Sequence, residues 1–188
     1  VQDLLDNLRQ TIPAAVDGVI PERLSLSELQ EVLRNLLRER VSIRDLATIL
    51  ETVSRYAGET RDTVTLTELA RRALSYAISD QYAEEGVVHV ATLDPTTEAE
   101  LAQALRHGHQ LNLDPATAQE LLLNVGQCME QLAQIGHQPI LLCSGDIRLP
   151  LARLAERSLP NLTVLSYNEI SPLTQVEAHI MVSLSSAG

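Results

Sequence analysis

Between residues 25 and 80 the apolar side chains recur three and four positions apart. Leu29, Val32, Leu33, Leu36 and Leu37 form one stripe, Leu46, Ile49, Leu50 and Val53 a second, and Leu66, Leu69, Ala70, Ala73, Leu74 and Ala77 a third. That spacing puts each set on one face of a helix, and such faces are stable only against each other. Polar residues mark where the helices begin. Ser25 to Glu28, Ser42 to Asp45 and Thr65 to Glu68 each place a hydroxyl three residues before an acid, the spacing of a reciprocal helix cap. With a shorter helix before Pro13, residues 1–85 are expected to form a cluster of four or five helices with short connections.

From Gly86 the period changes. "VVHVATL" alternates and is rich in branched residues, as a strand is. "DPTTEAELAQALRHG" and "DPATAQELLLNVGQCMEQLAQIG" both open with Asp before Pro and close at Gly, so two helices follow. "PILLCS" reads as a buried strand, "DIRLPLARLAERSLP" as a helix, "LTVLSYNEI" as a strand and "VEAHIMVSL" as a last alternating strand. The strand, helix and strand from Pro139 to Ile170 require a right-handed parallel crossover. The predicted fold class is α plus α/β: a helical subdomain at 1–85, then a small α/β subdomain at 86–188 with a mostly parallel sheet and helices against it.

Charge narrows what this fold can do. The net charge is -11, and all 14 basic residues are arginine, so no lysine is present for a Schiff base or a phosphate-loop contact. Residues 1–85 hold 10 Arg against 15 acids, and residues 86–188 hold 4 against 10, so neither half carries the basic stripe that phosphate-backbone binding needs. Nucleic acid is not an expected partner. The two cysteines lack metal-ligand spacing and are too few for a disulfide scaffold, which points to a reducing, cytoplasmic setting. No apolar run approaches the ~18–20 residues of a membrane span. The sequence opens at Val1 without Met, in what reads as a first helical turn, and is expected to be a piece of a longer protein.

Enzyme chemistry has one foothold. In "LLCSGDIR" Cys143 ends a strand, Gly145 turns and Arg148 starts a helix, so four residues separate Cys from Arg. A cysteine phosphatase loop needs five between, whereas a rhodanese-like sulfurtransferase loop uses four. Helix starts do lower thiol pKa, but Asp146 puts negative charge where an anion would sit. His89, His107, His109, His137 and His179 have no ligand partner at metal spacing on one element and read as structural. No phosphate loop, Ser-His-Asp order or paired carboxylates occur, so the expectation is a non-enzyme with no catalytic, cofactor or metal residues. Two stretches are candidates for protein contact. The sharp helical corner in "LLRERVSIRDLATILE" concentrates Arg38, Arg40, Arg44 and Asp45, and arginine is the cation enriched at interfaces. The polar run Tyr167, Asn168 and Glu169 directly follows an apolar strand and reads either as a capping turn or as a contact surface. A helix-turn-helix regulator is the remaining alternative for the corner.

The blocks "LSLSELQEVLRNLLRERVSIRDLATILETVSRYA", "LTELARRALSYAI", "VATLDP" and "QPILLCSGDIRLPLARLAERSLPNLTVLSYNEI" resemble the C-terminal cytosolic region of the FlhA/InvA/LcrD (FHIPEP) family of export-gate proteins in bacterial type III secretion. The resemblance spans nearly the whole chain. It implies a full protein anchored by a bundle of membrane helices, with four cytosolic subdomains assembled as a ring of nine at the cytoplasmic face of the bacterial inner membrane. Leu24 to Ile78 corresponds to the third subdomain and Val87 to Leu184 to the fourth. Because the family's ring contacts run largely through the third subdomain, the charged corner is expected to face protein, not DNA. The implied partners are further copies of the chain and other flagellar or virulence-associated secretion components. Export chaperones and cargo are expected to dock mainly on the two subdomains that this sequence lacks.

Overall fold

A computed structural model describes residues 25–106 and 109–184. The helix expected before Pro13 lies outside them, as does His107. The chain divides into two compact units between Ile78 and Ser79.

The first unit contains α1 (Leu26–Arg38), α2 (Leu46–Tyr56) and α3 (Thr63–Ala73), with both α1 and α2 packed on α3. The predicted stripes supply the core: Leu29, Val32, Leu33 and Leu36 from α1, Ile49, Leu50 and Val53 from α2, and Leu66, Ala70 and Leu74 in and just after α3 are all buried. Leu37 is not, at 54% exposure, and Ala73 and Ala77 of the third stripe are exposed as well. At the start of α1 the expected reciprocal cap forms. Ser25 Oγ accepts from the Glu28 amide at 3.2 Å, and Glu28 Oε2 accepts from the Ser25 amide at 2.7 Å.

The other two caps differ from the sequence expectation. Asp45 itself caps α2, accepting from the Thr48 amide at 3.1 Å, while Ser42 Oγ accepts from the Arg44 amide at 3.4 Å within the connection. Arg44 and Asp45 therefore precede the helix and do not lie in its first turn. Aspartate is as good an N-cap as serine, and the cap nearer the apolar stripe prevails. Likewise Asp62 caps α3 by accepting from both the amide and the hydroxyl of Thr65, at 3.0 and 2.6 Å. The acid in front of the hydroxyl, not the hydroxyl, starts that helix.

A further helix, α4 (Ser75–Tyr82), runs across the division. Its Ser79 belongs to the second unit because Ser79 Oγ accepts from the Ser171 amide at 2.7 Å and donates to the Glu169 carbonyl at 3.4 Å. The second unit continues with β1 (Val87–Leu93), α5 (Pro95–Gln103), the short strands β2 (Leu105–Arg106) and β3 (Gln110–Leu111), α6 (Pro115–Gln134), β4 (Ile140–Cys143), α7 (Gly145–Ala155), β5 (Thr163–Ser166), a single 3-10 turn at Tyr167–Glu169, and β6 (Gln175–Val182). Four strands form one sheet in the order β5-β4-β1-β6, every pair parallel. The antiparallel β2–β3 pair was not expected: "ALRHG" reads as helix, but α5 stops at Gln103. Asp94 and Asp114 cap α5 and α6 with Pro at the first position, as the sequence predicts. One face of the sheet, through Ala91, Leu93, Leu141, Cys143, Val164 and Val182, packs against Leu101 of α5, Leu121, Val125 and Leu132 of α6, and Ile147 and Leu151 of α7.

Candidate functional site

The corner after α1 is built from backbone bonds. The Arg40 amide donates to the Leu37 carbonyl at 3.0 Å and the Val41 amide to the Leu36 carbonyl at 2.9 Å. This pair of bonds is the Schellman ending, which requires a left-handed residue in the middle. Arg40 supplies it at φ 59. Glycine is the usual occupant because a Cβ there costs about 1–2 kcal/mol. Val41 is buried beneath the turn, as the motif prefers. Glu39, next to the strained residue, holds Arg71 of α3 at 3.2 Å, and the Arg71 side chain is only 2% exposed. A buried guanidinium thus locks the corner from inside while Arg38, Arg40, Arg44 and Asp45 remain exposed on its outside. All four corner candidates lie at the surface of one short segment.

The second candidate set divides. Tyr167 and Asn168 are exposed, Tyr167 at 49%. Burial of part of the Tyr167 ring, followed by the nearby Glu98 and Cys143, pushes its phenol pKa up. Glu169 leaves the set of candidate contacts. Its side chain is 1% exposed, Oε2 accepts from the Ser166 amide at 2.7 Å, and Oε1 faces the fully buried Arg148 at 3.9 Å. The capping reading of that residue therefore applies, because a carboxylate this deep needs both an amide and a cation.

The thiol loop is closed to substrate. Cys143 is 0% exposed, and its Sγ faces the Leu165 carbonyl at 3.7 Å. The next amide, on Ser144, donates to Glu98 Oε1 at 2.5 Å, so a carboxylate of α5 already occupies the position where a transferred anionic sulfur would be held. Open parallel sheets commonly bind ligands where the strand order reverses, which here is the carboxyl end between β1 and β6. The chain fills that crevice itself. The Asp94 amide donates to the Val182 carbonyl at 2.8 Å, the Leu184 amide to Thr97 Oγ1 at 2.9 Å, and Asn124 Nδ2 to the Ser183 carbonyl at 2.7 Å.

The sequence reading placed no site at His89, His137 and His179, and their distance along the chain gives no signal of one. The fold brings the three rings together, with His89 and His137 stacked at 3.8 Å between centroids. His109 lies in the turn before β3 with φ 57, not at a helix end.

An arrangement of helices followed by a parallel α/β unit of this form has solved counterparts. The nonameric EscV cytosolic domain from the type III secretion system matches with a TM-score of 0.78 at 27% identity, covering 96% of this chain and 54% of that one. The Chlamydia pneumoniae CdsV protein, solved in complex with CdsO, matches with a TM-score of 0.84 at 31% identity, covering 96% and 53%. The fold is thus that of type III secretion cytosolic domains. Flagellar biosynthesis protein FlhA of Bacillus subtilis (strain 168) is 39% identical over 181 residues, covering 94% of this chain and 27% of its own length. The FHIPEP family pattern matches residues 1–175, and the chain belongs to the FHIPEP family. It spans about a quarter of the length of the curated relatives it matches.

Proposed function

We propose that the chain is the C-terminal cytosolic part of a flagellar or virulence-associated type III export gate, acting as a non-enzymatic scaffold at the cytoplasmic face of the inner membrane. In this reading it contributes to a ring of nine and to the binding of secretion components. Export chaperones and cargo dock mainly on parts of the gate that precede it. The nonameric assembly of one relative and the CdsV–CdsO complex of another support self-association and partner binding as the mode of action.

The observation that carries the reading is the corner between α1 and α2. Left-handed strain at a non-glycine residue persists only where the surroundings fix it, and such residues gather at functional positions. Here the ion pair of buried Arg71 with half-buried Glu39 fixes the backbone beside Arg40, and the side chains of the corner are exposed. Arginine presented from a rigid backbone loses little freedom on contact with a carboxylate of a neighbouring subunit.

Arg44→Glu in the full-length gate tests this. Arg44 is exposed, so unfolding of the purified chain should change by no more than about 0.5 kcal/mol. Export of substrate in cells should fall sharply. Normal export with unchanged folding would reduce the corner to a solvated surface.

A further inference from the structure

His89, His137 and His179 reach one place by three different backbone devices. His89 lies on β1, where it pairs across the ladder with Glu177 of β6. His179 occupies the extra position of a bulge in β6: Val90 pairs with Ala178 and Ala91 with Ile180, so His179 has no partner in the ladder. Bulges redirect side chains, and they are rare between parallel strands. This one leaves His179 Nε2 at 2.9 Å from His89 Nδ1. His137 follows the end of α6, where the Gly136 amide donates to the Ala133 carbonyl and the His137 amide to the Leu132 carbonyl around a left-handed Gly136 at φ 90.

Carboxylates complete the arrangement. Glu84 Oε2 lies 3.2 Å from His137 Nδ1. A carboxylate only accepts, so Nδ1 carries the hydrogen and the Nε2 lone pair is the one left to bind an ion. Glu177 Oε2 lies 3.7 Å from His89 Nδ1 and is well exposed. One ligand atom from each histidine falls within 4.8 Å of the others. Two nitrogens bound to one ion at ~2.0–2.1 Å sit about 2.9–3.4 Å apart. The His89–His179 separation lies at the short end of that range, whereas His137 must rotate out of its stack on His89 and close by up to about 1.4 Å from the 4.8 Å limit.

We propose that His89, His137 and His179 form a binding site for a divalent transition ion of the zinc type, with Glu177 as a fourth ligand and Glu84 orienting His137. Imidazole nitrogens with a carboxylate suit zinc, and the negative charge around the rings attracts a cation. The three rings would bind through nitrogen lone pairs, and the carboxylates of Glu177 and Glu84 would offset the charge that the ion brings. The hydrogen shared between His89 and His179 moves through solvent to the far nitrogen of its own ring as both lone pairs turn to the ion. The ion would tie the edge strand, the central strand and the end of α6 together at one corner of the sheet.

Titration of the untagged 188-residue chain with zinc chloride near neutral pH, followed by calorimetry and by histidine side-chain NMR, tests the site. One equivalent should bind and perturb His89, His137 and His179 while leaving His107 and His109 in place. His137→Ala, His179→Ala and Glu84→Gln should each weaken binding by ~10-fold or more, the scale on which ligands and their orienting partners act. Absence of binding, unchanged affinity in the folded histidine variants, or perturbation confined to His107 and His109 would overturn the assignment. The NMR pattern on the unmodified chain decides the matter even if a variant fails to fold.

Discussion

Helix α1 and helix α6 end in the same hydrogen-bonded motif, yet one has arginine and the other glycine at its left-handed position. At Gly136 the turn is nearly free of strain, and it delivers His137 to the histidine cluster. At Arg40 the same turn carries a side chain against its backbone preference, and the ion pair of buried Arg71 with Glu39 stands behind it. The difference shows where the sequence tolerates a local cost. A helix that had only to stop would relieve that strain with glycine at residue 40.

Breaking the clamp should have the largest effect. Glu39→Ala removes the carboxylate at 3.2 Å from Arg71, whose side chain is 2% exposed. Hydrogen bonds to charged groups contribute ~1.5–3 kcal/mol, and Glu39 is itself 24% exposed, so a loss of about 2 kcal/mol is expected in urea unfolding. Gly136→Ala comes next. A Cβ there meets nothing within 4 Å, so the expected cost, ~1–2 kcal/mol, is purely that of the left-handed backbone. A cost near zero would mean that the turn at His137 relaxes to another shape. Arg40→Gly is smaller still: relief of strain is set against a freer unfolded chain and the loss of the arginine's own contact, so Tm should move by no more than about 1–2 °C. Export by the full-length gate should decline even so, which separates the side chain's use from the fold's stability.

The smallest effect concerns the start of α1, opposite the strained end. The Ser25 hydroxyl, then the Ser25 amide, hold the Glu28 carboxyl below its ordinary pKa. A depressed carboxylate contributes stability that is complete above its unfolded pKa of ~4.3 and is lost as pH falls through the lower folded value. The difference in melting between wild type and Glu28→Gln should therefore be present near neutrality and vanish in acid.

Much of the fold was legible because local chemistry and tertiary need agreed. The Leu29 to Leu36 stripe, the Ser25–Glu28 cap, the two Asp-Pro starts and the parallel crossover from Pro139 appear as read. The starts of α2 and α3 were misread where two capping residues compete within four positions, at Ser42 and Asp45 and at Asp62 and Thr65. The β2–β3 pair is too short for alternation to register. The corner arginines were visible in sequence, but their left-handed support was not, since only Gly advertises that conformation. Glu169 read either as a cap or as surface; the cap was legible, but its other partner, Arg148, twenty-one residues away on another element, was not. The histidines converge only through sheet order and a bulge, neither of which linear spacing encodes.

That bulge has a second consequence. Strand β6 lies at the margin of the sheet, is eight residues long, and is exposed along nearly all of its length. An uninterrupted margin of that size is a template on which another chain can stack, and stacking of that kind has no natural end. The unpaired His179 breaks the row of backbone donors and acceptors near its middle, and the charge of Glu177 sits beside the break. A kink in the outermost strand is thus a guard against fibre growth.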